Sequence, residues 1–191
     1  MSVFVATGEE VRKLNMSRSG STDYDWLRLK EGEKRRVMFL SGADEFISYW
    51  AHNDVLRGIT THACLEPTGV ACPSCQGNVQ RRLQTLVLFW DVDNERILVW
   101  DVPKKHMKTV YSVIENYPDE YLDMVFIIKR IGKGNQTRYD FSPLLRLTHD
   151  EESKAEGRYN AKKPDKEKLI RFNKPEELSK MLSGKGISPV H

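Results

Sequence analysis

Residues 83–102 read "LQTLVLFWDVDNERILVWDV", and this stretch decides the fold. Two runs dense in Leu, Val, Ile, Phe and Trp, Leu83 to Val92 and Arg96 to Val102, are separated by Asp93, Asn94 and Glu95. Branched and aromatic residues suit the pleated strand, and an Asp/Asn turn of this length joins two strands as a hairpin. Phe89, Trp90 and Trp100 are expected in the core. The chain is therefore built around β-structure.

The same reading extends in both directions. Upstream, "WLRLKEGEKRRVMFLSG" has a turn at Gly32 and then a β-rich run, and "EFISYWAH" is a second run. A short helix is expected around "GNVQRRL". Downstream, "KKHMKTVYSVIENY" spaces Met107, Val110, Tyr111 and Ile114 as one face of an amphipathic helix that Pro118 stops. "DMVFIIKRIGKGNQTRYDFSPLLRL" then gives a strand, a Gly-rich turn and a return strand. Five strands with a helix between the third and fourth is the layout of the oligonucleotide-binding (OB) barrel, a mainly β fold. That barrel is expected over residues 25–149. Residues 1–24, rich in Ser and Gly, read as a flexible arm, and residues 150–191 as a charged region, partly disordered, with a short helix after Pro175.

Composition narrows the class. The chain has 191 residues, 39% of them hydrophobic, enough for one ordinary domain with tails. No window approaches the ~18 apolar residues of a membrane span, and no signal peptide is legible, so a soluble intracellular protein is expected. The net charge of +3 does not by itself point to a polyanion. Residues 25–149 hold 17 Lys and Arg against 16 Asp and Glu, so any such partner needs the cations gathered on one face.

All three cysteines lie in "AHNDVLRGITTHACLEPTGVACPSCQ", residues 51–76. Cys72 and Cys75 form a Cys-x-x-Cys knuckle, which lets two sulfurs converge on one ion, and Cys64 lies upstream. A tetrahedral zinc site needs a fourth ligand. His52 closes a His-x11-Cys-x7-Cys-x2-Cys set and is preferred, with the nearer His62 as the alternative. Three sulfurs and one nitrogen fill the shell, so the expected Zn2+ is single and structural, ordering a loop poor in apolar residues. Neither a His-Glu pair nor a carboxylate cluster for two metals is present, and no catalytic activity is expected.

The segment "IKRIGKGNQTRYDF" places Lys129, Arg130, Lys133 and Arg138 beside Tyr139 and Phe141. Cations meet phosphates, and rings offer a π-face to any base, a combination suited to single strands. Tyr49 and Trp50, beside the cysteine loop, are further stacking candidates. Arg35, Arg36, Lys104 and Lys105 are further phosphate candidates, as are Arg81 and Arg82.

With the His52, Cys64, Cys72 and Cys75 series, the "LKEGEKRRVMFL" strand and the "IIKRIGKGNQTRY" hairpin together, the chain resembles the phage single-stranded DNA-binding proteins, including the zinc-containing helix-destabilising protein of T-even bacteriophages. The resemblance spans about residues 25–143. It implies an OB barrel with a zinc subdomain that coats single-stranded DNA, without strong sequence preference, during phage replication, recombination and repair. It also implies the cytoplasm of a bacterial host, cooperative contacts between copies along the strand, and replication or recombination proteins as partners. The N-terminal Arg12, Lys13 and Arg18 are similar to that family's basic arm, whereas its strongly acidic C-terminal tail is absent. The competing expectation is a zinc-ribbon module that binds a host or phage replication or transcription protein.

Overall fold

The computed structural model describes residues 24–56, 59–146, 148–162, 164–170 and 172–183. The arm expected over residues 1–24 lies outside them apart from Tyr24 at its end. The chain divides into two compact units. Among the described residues, a sheet unit lies within 24–47 and 85–164, and a cysteine unit within 48–84 and 165–183.

Among the described residues there are eight strands: β1 (Tyr24–Trp26), β2 (Lys34–Phe39), β3 (Ile47–Leu56), β4 (Ile59–Ala63), β5 (Arg81–Asp91), β6 (Arg96–Pro103), β7 (Met124–Ile131) and β8 (Arg138–Arg146). They form one mixed, open sheet along the path β1-β6-β5-β2-β7-β8, with β3 paired to β4 and β5. The sheet is thus larger than the expected five strands. Without a counterpart among the runs read from sequence are β1, which runs parallel to β6 with Tyr24 opposite Ile97 and Trp26 opposite Val99, and β4, which pairs with β3, the strand formed by the "EFISYWAH" run. Among the described residues there are five α-helices: α1 (Pro73–Gln76), α2 (Lys104–Asn116), α3 (His149–Lys162), α4 (Lys166–Leu169) and α5 (Pro175–Ser183).

The β5–β6 hairpin forms as its sequence requires. Asp91, fully buried, closes the turn by accepting the Asp93 and Asn94 amides at 3.1 Å, with the Asn94 side chain at 2.8 Å. Its apolar runs are continuous rather than alternating, the mark of a strand covered on both faces. Val87, Phe89, Leu98, Trp100 and Val102 face the main core, while Leu86, Leu88, Trp90, Ile97 and Val99 are buried on the opposite face.

The main core is centred on Phe39 of β2. Its ring meets Phe89 at 4.8 Å, Tyr121 at 5.5 Å, Phe126 at 5.8 Å and Phe141 at 5.9 Å. Helix α2 covers this core through Met107, Val110 and Val113, with His106 also buried. Tyr111, expected on the apolar face, is exposed. The buried stripe is centred on residues 106, 110 and 113, which places Tyr111 at its outer edge.

The β7–β8 hairpin turns at Gly132, where φ is +75° and an added Cβ would stand 2.7 Å from the Gln136 carbonyl oxygen. Only glycine fits both constraints. Two other expectations are corrected. "GNVQRRL" is not helical: the helix is the single turn Pro73–Gln76, the chain bends at Asn78 with φ of 56°, and Arg81 already begins β5. The charged segment after Asp150, where the only helix expected was the short one after Pro175, forms α3, with Ala155 and Tyr159 buried one turn apart. Beyond it, α5 begins at Pro175 as expected, with Glu176 and Glu177 in its first turn and Lys180 in its last, a distribution that complements the helix dipole.

Candidate metal centre

The β3–β4 register sets Ala51 opposite Ala63 and His52 opposite His62. Directly opposed residues project from the same face, so both imidazoles leave the hairpin together. The Cys64 amide donates to the Trp50 carbonyl at 2.8 Å, which extends the pairing by one residue and fixes the first sulfur. After a 3-10 turn over Glu66–Thr68, Gly69 in the left-handed region reverses the chain. Cys72 then stands at the N-cap of α1, Pro73 starts the helix, and one turn brings Cys75 back beside Cys72.

The four expected ligands converge. Nε2 of His52 and the sulfurs of Cys64, Cys72 and Cys75 all lie within 4.8 Å of one another. Cys64 Sγ is 3.5 Å from Cys75 Sγ, and His52 Nε2 is 3.5 Å from Cys72 Sγ and 3.6 Å from Cys75 Sγ. A tetrahedron with Zn–S bonds of about 2.3 Å and a Zn–N bond of about 2.0 Å has edges of roughly 3.5–3.8 Å. These three separations have that length. His52, Cys64 and Cys72 are buried and Cys75 partly so, and four protein donors leave no open position. The donor set therefore fits a structural ion, with zinc the species that its chemistry favours.

His62 serves a different purpose. Its ring stacks on His52 at 5.3 Å, and its Nε2 lies 3.0 Å from Ser74 Oγ within the knuckle. It holds the imidazole plane of His52 and the turn of α1 in place. Helix α5 also packs against α1, so the C-terminal segment, with Leu178 and Leu182 fully buried, belongs to the same unit as the ligands.

Electrostatics set the protonation of these groups. The Cys72 thiol is held far below its ordinary value, at about 3, first by its hydrogen bond with Cys64 and then by His52, against the opposing effect of burial. The Cys64 thiol is pushed strongly upward by its bond to Cys72 and by burial. Cys75 is pushed up to about 11, chiefly by burial. At neutral pH the metal-free cluster thus carries one thiolate and two thiols, because three like charges do not share so small a volume. Binding an ion must then release about two protons, and affinity must fall as pH falls because protons compete for the sulfurs. Calorimetry in buffers of different ionisation enthalpy should read a release near two at pH 7; a release near zero would contradict this protonation state.

The expected nucleic-acid residues fall into distinct groups. Trp50 is 40% exposed, with the Arg81 guanidinium 5.0 Å above its ring and Arg81 in turn 2.8 Å from Glu66. Tyr49 is half-buried. Lys104, Lys105, Lys129 and Arg138 are exposed, with no carboxylate partner among the described residues. Arg35 pairs with Glu33 at 2.9 Å, Arg36 with Asp93 at 2.7 Å and Lys133 with Glu31 at 2.9 Å.

The alternation of β7 turns Phe126, Ile128 and Arg130 inward. Arg130 donates to the Leu29 carbonyl at 2.7 Å and the Thr137 hydroxyl at 3.3 Å, so it ties the turn to the sheet. Tyr139 and Phe141 are half-buried against the core, Tyr139 at 4.7 Å from Trp100 and 5.1 Å from His106. Burial raises the Tyr139 hydroxyl above its usual value and lowers His106. Two exposed residues escaped the sequence reading. Trp26 sits at the end of a strand whose parallel partner is distant in sequence, and Lys34 is marked only by its register with β7.

Comparison of the chain with protein-family models, curated proteins and solved structures found no match.

Proposed function

We propose that the chain is a non-enzymatic, sequence-tolerant single-stranded DNA-binding protein, an OB barrel carrying one structural zinc. It would coat single strands during phage replication, recombination and repair in the cytoplasm of a bacterial host. The observation that carries the proposal is the strand path. With β1 set aside, the remaining order is β6-β5-β2-β7-β8. Numbered along the chain these strands run third, second, first, fourth, fifth, and α2 connects the third to the fourth. Trp100 on β6 meets Tyr139 at 4.7 Å and Phe141 at 6.1 Å on β8, so side chains link the two ends of an otherwise open path. An OB barrel is a partly open five-stranded barrel that holds oligonucleotides with the connections between its first and second and its fourth and fifth strands. Here the first connection contains the cysteine segment with Trp50, and the second is the Gly132 hairpin between Lys129 and Arg138.

Proteins of this kind bind single strands by cations along the phosphates and rings on the bases. Affinity for single-stranded oligo-dT should exceed that for duplex of equal length. With five phosphate contacts it should drop about a hundredfold between 50 and 200 mM salt, from a slope of roughly 0.7 per contact. A gel shift with both substrates at the two salt concentrations tests this, and equal or absent binding of the single strand would overturn it. Cooperative binding of neighbouring copies and recruitment of replication or recombination proteins belong to the same proposal.

A second reading, a zinc-ribbon module for a replication or transcription protein, is favoured by the pairing of Arg35, Arg36 and Lys133 with carboxylates. It predicts no quenching of tryptophan fluorescence by oligo-dT.

A further inference from the structure

We infer that Lys34 and Lys129 form a phosphate subsite on the outer face of the sheet, an inference that rests on the single-strand reading above. Lys34 of β2 and Lys129 of β7 are directly opposed in the antiparallel register. Alternation from the core residues Val37, Phe39, Phe126 and Ile128 sends both ammonium groups outward, and both are exposed. Directly opposed residues hold their Cβ atoms about 5 Å apart, where like charges destabilise the pair.

Their surroundings offset these charges only in part. The Glu33 carboxylate beside Lys34 accepts from the Lys30 amide and from Arg35, and Glu31 pairs with Lys133. Asp140 stands opposite Lys129 on β8 without an ion pair joining them. Arg36 is on the same face two residues along β2 and is held by Asp93, and Arg138 is opposite Ile131, two residues beyond Lys129. The outer face is therefore apolar and buried at Met38 and Val125, and basic toward the Gly132 turn. Two opposed lysines facing one carboxylate keep a net positive charge that an anion relieves. A nucleic-acid phosphate fits that requirement, and the site lies beside the hairpin connection already assigned to the strand.

The opposing signs make this testable. Lys34→Gln should leave the melting temperature unchanged or raise it by about 1–3 °C, by removing the like-charge contact, and Lys129→Gln, which also loses the attraction of Asp140, should leave it nearly unchanged. Each should weaken oligo-dT binding about fivefold at 0.1 M salt and lower the salt slope by about 0.7. Asp140→Asn should tighten binding. The measurement is a fluorescence titration of each full-length variant with oligo-dT across a salt series, with a thermal melt alongside. Wild-type binding with unchanged affinity and slope in both lysine variants overturns the subsite and leaves the single-strand reading standing. A lowered melting temperature in both assigns the lysines to the fold and overturns it as well. Failure of the wild type to bind overturns both readings together.

Discussion

Stripping the ion with a strong chelator, or replacing Cys72 with serine, should unfold the cysteine unit. The ligands come from a hairpin and a one-turn helix joined through a 3-10 turn, and helices this short do not persist alone. Closure of a structural zinc site contributes an apparent 10–16 kcal/mol or about that, comparable with the roughly 5–15 kcal/mol that holds a whole domain. Without it, His52 and three sulfurs remain packed together in a buried volume with one thiolate and no counter-ion. Hydrogen exchange of the Cys64, Gln76 and Gly77 amides, which are hydrogen-bonded in this structure, should rise by orders of magnitude after chelation. The Trp50 emission should change with it. The sheet unit has its own core, and the Phe39 and Phe89 amides should keep their protection. Unchanged exchange across residues 64–77 in the metal-free protein would show that the unit folds without the ion.

Phe39→Ala should produce the largest loss in the sheet unit. The side chain is 1% exposed and touches four other aromatic rings drawn from β5, β7, β8 and the segment before β7. Truncating a phenylalanine at such a site leaves a cavity and costs about 3–5 kcal/mol. For a chain of this size the melting temperature should fall by about 10 °C or more. Phe141→Ala, which removes a half-buried ring at the margin of the same cluster, should cost less. Equal losses for the two variants in a thermal melt would mean that the core is not centred on β2.

The hairpin, helix α2, the Gly132 turn and the four ligands were legible because each depends on residues near one another in sequence. Continuous apolar runs, the spacing of Met107 and Val110, and the Cys-x-x-Cys knuckle all carry their meaning locally. The parallel placement of β1 beside β6, and Lys34 opposite Lys129, depend on pairings between distant segments that no spacing encodes. Arg130 shows the same limit: its charge suggests phosphate, and only its register shows that it bonds to Leu29. Helix α3 was missed because a solvated helix needs few apolar residues, and Ala155 and Tyr159 are scant signal in a run of charges. The choice between His52 and His62 was open in the sequence for a related reason. Both leave the same face of the hairpin, and the position of α1 decides which of them meets the sulfurs.

That choice can be read by native mass spectrometry of the wild type, His52→Ala and His62→Ala, each dialysed against a mild chelator at neutral pH. One zinc should stay with the wild type and with His62→Ala, and be lost from His52→Ala. Zinc retained by His52→Ala but lost from His62→Ala, or none in the wild type, would contradict the centre formed by His52, Cys64, Cys72 and Cys75.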